Sequence, residues 1–334
     1  MQDAFWVRQQ YLTEVALVET ARQAAEATRA QRLAKAMTLN PESFTSELNR
    51  VQKAIMVAGL QSRAERKTPF RSLEEADLGI LYCYIEAEKS AGRIFVLSDQ
   101  QPSIHKSLDL LRMELRCGRQ VIAGSTYRNV MYKVLKSAHS PIQQWAEDMR
   151  SYLKHIRRRA HVVAWRSALV WANALRDSGV NVFWHADVAR DEETLAPMMR
   201  FASIPSTIKE EVIINVADQM LATCGSQTAM VNSLIAAGVP EEHIVIMAMI
   251  AAPEGLCALR TRFPKTLITT LTMDGRLDER GYITEPGAGD VGDHSFPAHE
   301  RPYDTYVQNN LVAQGIISPE HAVRLLTRMN GRGH

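Results

Sequence analysis

"NVADQMLATCGSQTAMV", residues 215–231, is an apolar run that ends at an acid, Asp218, passes through the small residues Ala222-Thr223-Cys224-Gly225-Ser226, and continues with helical character. A strand that feeds a helix through such a loop aims successive backbone N–H groups and a helix N-terminus at one spot, which makes an anion site. Thr223 and Ser226 add hydroxyl donors. Asp218 is not there to bind phosphate, since like charges repel; it suits a ribose hydroxyl, or Mg²⁺ through water. The plain alternative is an ordinary strand-to-helix turn with Ser226 as the cap.

Outward from this stretch, short β-branched runs alternate with helical segments. His161–Trp165, Val180–Val188, Val212–Val216, Ile244–Ile250 and Leu267–Leu271 read as strands, and 226–237 and 254–262 as amphipathic helices. Such alternation predicts an α/β fold with a mostly parallel sheet flanked by helices, whose ligands bind outside the carboxyl ends of the strands. The front differs. Residues 1–36 have no Gly or Pro and carry apolar residues at Tyr11, Val15, Val18, Ala21 and Ala25, close to helical spacing. A second helix is expected from about Pro41, capped by Asn40 or Ser43, and a third over 73–90, ending before Gly92. The chain therefore divides into an all-helical front, 1–97, an α/β domain, 98–296, and a helical tail, 297–334, with helices expected at 304–314 and 318–329.

Composition narrows the class. The 334-residue chain is 46% hydrophobic and 23% charged, with a net charge of +2, which gives no electrostatic case for nucleic acid or membrane. Cys83, Cys117, Cys224 and Cys257 form no CxxC pair, so neither a zinc site nor a disulfide framework is indicated. The opening MQDAFWVRQQYLTE has no basic region followed by an apolar core, and the longest apolar run, 244–252, is too short to span a bilayer. A cytoplasmic protein is expected.

Three further segments surround the first. "ARDEETLAP" (189–197) lies upstream, "AAPEG" (251–255) downstream, and "DERGYITEPGAGDVGDHSF" (278–296) adds a Gly-rich loop with Asp290 and Asp293 each preceded by Gly. Together they resemble the uracil phosphoribosyltransferase family, whose members carry DPMLATGGS, a YRDEETLEP-like segment, AAPEG and GYIVPGLGDAGDR. Here DQMLATCGS, ARDEETLAP, AAPEG and GYITEPGAGDVGDH occur in the family's order at similar spacing. A weaker match, 102–112 with Tyr127-Arg128, looks like the family's opening HPL…HKLTLMR and its FR pair.

The resemblance implies a type I phosphoribosyltransferase-like, Rossmann-like sheet, and a reaction in which phosphoribosyl pyrophosphate, with Mg²⁺, gives its ribose to a base nitrogen and releases pyrophosphate. It implies that Asp218, Ala222, Thr223, Cys224, Gly225 and Ser226 hold the donor's 5′-phosphate and ribose, and that Arg166 and Arg190 contact pyrophosphate. Asp290 would lie near ribose or metal, and Ile283, Gly289, Asp290 and Val291 would line the base. Asp218, Arg190 and Asp290 are the candidate catalytic residues; Mg²⁺ would arrive with the donor and water, without direct protein ligands. The partners are these small molecules, with a homo-oligomer, a dimer, expected.

Four departures bear on the acceptor and on turnover: the added residue at Glu285, His294 for the family's Arg, Ser167 in the family's RAG, and Cys224 for a cradle Gly. A charged insertion beside the base loop argues for an acceptor other than uracil alone, because an unpaired buried polar group costs about 1–3 kcal/mol. Cys224 would cost about 1 kcal/mol if its φ is positive and little otherwise. The basic segment QQWAEDMRSYLKHIRRRAH (143–161) reads as a helix with a solvated face in place of the family's β-arm, rather than as an RNA surface, because no aromatic platform accompanies it. A ligand-binding regulator without turnover, or a scaffold built on residues 1–95, stands as the alternative.

Overall fold

The computed structural model describes residues 2–60, 73–105, 108–109, 125–156, 158–165, 168–176, 182–190, 197–209, 211–278, 281, 283, 312, 318–320 and 322–323. Strands are β1 (Ile94–Val96), β2 (Arg159–Trp165), β3 (Phe183–Arg190), β4 (Pro197–Ala202), β5 (Ile213–Ala217), β6 (Met220–Leu221), β7 (Ile244–Ala251) and β8 (Leu267–Met273). Helices are α1 (Gln2–Ala36), α2 (Pro41–Leu60), α3 (Glu75–Ser90), α4 (Leu97–Gln100), α5 (Ser125–Met149), α6 (Leu169–Arg176), α7 (Gly225–Ala236) and α8 (Pro253–Arg262).

The sheet order is β1-β8-β7-β5-β2-β3-β4, with short β6 also on β7. Every pairing is parallel except the β3–β4 hairpin. All residues of β5 and β7 are buried, which is why they read as unbroken apolar runs: a parallel strand covered on both faces has no polar side to alternate with. From β2 the chain steps one way to β3, whereas β5, β7 and β8 extend the other way. The order therefore reverses between β2 and β5, and the carboxyl ends of those two strands bound the crevice where such folds bind ligands.

The five expected strands and both expected crossover helices are present. In the front, Asn40 is the cap: its Oδ1 accepts the Ser43 N–H at 2.9 Å. The front is helical over α1, α2 and α3, and at its end Ile94–Val96 pairs with Ile268–Thr270 as the edge strand of the sheet. One expectation needs correction: 143–161 is not one helix. α5 stops at Met149, a short 3₁₀ turn covers Ser151–His155, and Arg159 already belongs to β2. The physical reason is tertiary. Arg150 donates to the main-chain oxygens of Glu242 and Lys265, pinning the chain where it turns. Arg159 turns back to pair with Glu147 and Gln143 on α5. Arg158 and Arg159 therefore lie at a strand entry, not on a solvated helix face. The tail expectations over 304–314 fall almost wholly outside the described residues; 319–320 and 322–323 are helical, and Ala322 is buried in the main core.

The front and the sheet share packing. Val51, Ile55, Leu81 and Cys257 form one cluster across α2, α3 and α8. Phe95 of β1 stacks on Trp145 of α5, with ring centroids 4.9 Å apart. Glu88 and Arg260 make an ion pair at 2.7 Å, with side chains 8% and 4% exposed.

Candidate functional site

At the end of β5 the sheet is interrupted for two residues. Ala217 pairs with Met247 and Met220 with Ile250, so the register is unbroken while Asp218 and Gln219 step out of it. The step is held from several sides. The Asp218 N–H donates to Met247 O at 3.0 Å, and the Asp218 carbonyl accepts the Trp171 indole N–H from α6 at 3.0 Å. The buried Asp218 carboxylate accepts the Gln219 N–H at Oδ1 (2.7 Å) and the Gln227 side-chain amide at Oδ2 (2.6 Å). Gln227 belongs to the first turn of α7, so Asp218 ties the strand end to the helix that the loop feeds.

The loop 222–224 then delivers α7. Its preceding residue, Cys224, supplies no side-chain cap, and the first N–H groups of any helix have no acceptor within it. Among the described residues Cys224 is the one non-glycine with positive φ, at +61°. Its thiol is buried, with Sγ 3.4 Å from Gly255 O and 3.7 Å from Ala222 O. Burial, and then the Asp218 charge, push the thiol's pKa well above its ordinary value, so this sulfur is a packed neutral group and not a nucleophile.

Three glycines show how the separate segments meet here. A Cβ on Gly255 would come within 2.4 Å of Leu221 O and 2.5 Å of Ala222 O, so the AAPEG turn lies directly against the loop. A Cβ on Gly225 would touch Pro197 Cγ at 3.4 Å. Pro197 faces Arg190 across the β3–β4 hairpin, which sets the backbone of Arg190 beside the start of α7. A Cβ on Gly281, where φ is +83°, would stand 2.9 Å from Thr223 Cγ2. Ile283 lies at the same corner: it bridges Leu277 and, like Ala222, packs against the Ala252–Leu277 cluster.

Glu254 supports the same corner and was not singled out by its sequence. It is 2% exposed, its Oε1 accepts the Leu277 N–H at 3.0 Å, and its Oε2 is buried without a hydrogen-bond partner. Burial raises its pKa to about 7, against the two backbone hydrogen bonds that lower it. The signal available in sequence was only its place after Pro253, where an acid in the first turn reads as a helix-dipole partner.

Of the sequence-predicted residues, Asp218, Ala222, Thr223, Cys224, Gly225, Ser226 and Ile283 are brought together. Arg190 is placed by its backbone at the end of β3. Arg166, Gly289, Asp290 and Val291, with Ser167, Glu285, Asp293 and His294, lie outside the described residues; Arg166 directly follows Trp165, the last residue of β2. Among the described residues no three metal-ligating side chains converge.

Comparison with known proteins bears on this corner. A family model described as uracil phosphoribosyltransferase matches residues 128–298, just over half of the chain. Uracil phosphoribosyltransferase 1 of Schizosaccharomyces pombe is 40% identical over 109 residues, 33% of this chain and 49% of that protein. Uracil phosphoribosyltransferase of Limosilactobacillus fermentum is 42% identical over 107 residues, 32% of this chain and 50% of that protein. The chain thus spans about half the length of the curated relatives it matches. Among solved structures, the AQ2163 protein from Aquifex aeolicus aligns with a TM-score of 0.45 and 24% identity over 61% of this chain and 97% of that one. The matched span holds the cradle, both glycine turns packed on it and the Arg190 hairpin, and on that footing the chain belongs to the uracil phosphoribosyltransferase family.

Proposed function

We propose that this protein transfers the phosphoribosyl group of phosphoribosyl pyrophosphate to a ring nitrogen of a uracil-like or other small planar heterocycle, releasing pyrophosphate. One observation carries the reading: the AAPEG turn, the Arg190 hairpin and Gly281 all close onto an uncapped helix start at the reversal point of the sheet. The N–H groups of Gly225 and Ser226 with the Thr223 and Ser226 hydroxyls would hold the 5′-phosphate. Asp218, fixed by Gln219 and Gln227, would face the ribose. As the C1–oxygen bond breaks and the nitrogen–C1 bond forms, negative charge grows on the leaving pyrophosphate. Arg190 and Arg166 would meet it with planar forks suited to phosphate oxygens. Ile283, Gly289, Asp290 and Val291 would line the base.

The residues fit Mg²⁺ only as an ion carried by the donor's pyrophosphate. Both Asp218 oxygens already accept hydrogen bonds, so that carboxylate would reach the ion through water. The ion would supply charge neutralisation of the leaving group. A cytoplasmic setting and a homodimer belong to the same proposal; the free thiols of Cys83, Cys224 and Cys257 support the first. A regulator that binds the donor without turnover is the second reading, favoured by the left-handed Cys224 at a position where the motif this loop resembles has glycine.

The test is pyrophosphate release from phosphoribosyl pyrophosphate and Mg²⁺ with a panel of pyrimidines and other planar nitrogen heterocycles. Turnover with at least one base is expected, reduced on the order of a hundredfold by Arg190→Ala and also reduced by Asp218→Asn. Donor binding without release for any base would select the regulator. Turnover insensitive to both substitutions would show that the cradle has been assigned to the wrong residues.

A further inference from the structure

Glu254 is clamped by its neighbours before its own side chain acts. On one side the Ala252 N–H donates to Leu221 O at 2.9 Å. On the other, Gly255 packs directly on Leu221 O and Ala222 O. The main chain of Glu254 is therefore fixed to the loop that feeds α7. Its side chain reaches the chain leaving β8, where Oε1 accepts the Leu277 N–H at 3.0 Å. Leu277 pairs antiparallel with Ile283, and between them the Gly281 N–H donates to Asp278 O at 3.0 Å, with Gly281 at φ +83°. This is a tight turn whose middle stands against Thr223 and whose return, Ile283, packs against the Ala252–Leu277 cluster. One carboxyl group thus ties the cradle loop to the residue expected beside the base.

That tie is costly. Glu254 is 2% exposed, and among the described residues its Oε2 is buried without a hydrogen-bond partner. The charged and titratable groups around it, Arg276 at the foot of the turn, Tyr82 on α3 and Cys257 one turn along α8, leave that oxygen unpaired. An apolar side chain would fill this space without burying an unsatisfied polar atom. It could not hold the Leu277 N–H. Polar groups kept at such a cost gather where a site needs its parts held in one place.

We infer that Glu254 is a positioning residue for the acceptor base, setting how far Ile283 stands from the cradle and with it which planar ring fits. The inference rests on the transferase reading, because the place of Ile283 beside the base is what makes the brace a determinant of specificity. Glu254 touches neither the donor nor the base; it acts through Leu277 and the turn that follows.

Calorimetric titration of the full chain with ribose 5-phosphate and with uridine 5′-monophosphate tests it, since the two differ by the base alone. Glu254→Met fills the space but offers Leu277 no comparable acceptor. It should weaken uridine 5′-monophosphate by roughly tenfold and ribose 5-phosphate by less than about twofold. Glu254→Gln keeps the acceptor and should restore most of the loss. Equal weakening of both ligands would mark a structural brace only and overturn the inference, as would a folded Glu254→Met that binds both like wild type. Wild type supplies a measurement that needs no variant to fold. A ligand whose binding depends on the brace must by linkage strengthen it, so uridine 5′-monophosphate should slow hydrogen exchange at the Leu277 amide and ribose 5-phosphate should not. Equal exchange with the two ligands overturns the inference alone, and so does wild type to which the base adds no affinity. Wild type that binds neither ligand overturns the transferase reading and this inference with it.

Discussion

At Cys224 the backbone turns through φ +61°, ψ +22°, where the Cβ of an L residue crowds the next carbonyl and costs about 1–2 kcal/mol relative to glycine. The buried side chain offsets part of this by filling the space under Gly255 O. Comparing Cys224→Gly with Cys224→Ala separates the two effects, since both lose the thiol and only alanine keeps the strain. The glycine variant should be the more stable by about 1 kcal/mol, measured by urea denaturation, although alanine is normally the less costly residue. An equal or reversed order would mean that the loop relaxes to negative φ. The sequence located this residue and posed the question of its φ, because a small-residue loop between a strand and a helix is a local pattern. It could not answer the question, because the turn is imposed by Pro197, Gly255 and Gly281 closing in from three distant segments. Glu254 escaped notice for the same reason: its partner, the Leu277 N–H, is 23 residues away.

At the level of elements, α3 is joined to α8 by charge as well as by packing. Glu88 lies between Arg93 and Arg260, and Arg260 also donates to the main-chain oxygens of Phe263, Pro264 and Thr266. Burial acts to raise the Glu88 pKa, but the hydrogen bonds from Arg93 and Arg260 outweigh it and hold the carboxyl below its ordinary range. Removing Arg260 leaves Glu88 with Arg93 alone and the oxygens of Phe263, Pro264 and Thr266 without this donor, so Arg260→Met should destabilise by about 3 kcal/mol and loosen the helical front together with the sheet edge. Hydrogen exchange over 75–96 checks this; unchanged protection there would mean that the front is held by apolar packing alone. How far such elements were legible follows their range. Long helices and fully buried strands announce themselves through composition and period, and α1, α2, α3, β5 and β7 were readable, whereas α5 was met only at its end, through the segment from 143. β1 is three residues long, too short for any period to register, and takes its identity from pairing with β8. β4 opens at Pro197 and exists as the return of a hairpin from β3. The end of α5 is set by contacts of Arg150 with residues about a hundred positions downstream.

For the whole molecule, the centre of the sheet holds an ionisable group that must stay neutral. His161 on β2 is fully buried, and its Nε2 accepts from Asn215 Nδ2 on β5 at 3.0 Å. Burial, with the nearby His139 and Arg159, lowers its pKa to about 3, against about 6.5 in an unfolded chain. Between those values the unfolded chain binds the extra proton. Stability from this residue is therefore complete above about pH 6.5 and lost as pH falls toward 3, at up to about 1.4 kcal/mol per pH unit. Glu254 acts in the opposite sense. Its folded pKa of about 7 exceeds the ordinary carboxyl value of 4.5, so it gains stability as pH falls through that window and adds no further slope below it. The raw acid profile mixes the two, with Glu88 and the lowered His139 siding with His161. Subtracting the profile of His161→Gln, which keeps an acceptor for Asn215 and does not titrate, isolates the histidine. The difference in unfolding free energy should be flat above pH 7 and shift by roughly 1 kcal/mol or more per pH unit between pH 6 and 4, with wild type losing ground as acid is added. A difference that stays flat to pH 4 would mean that His161 takes up its proton within the fold near its ordinary pKa, which requires water to reach the β2–β5 seam.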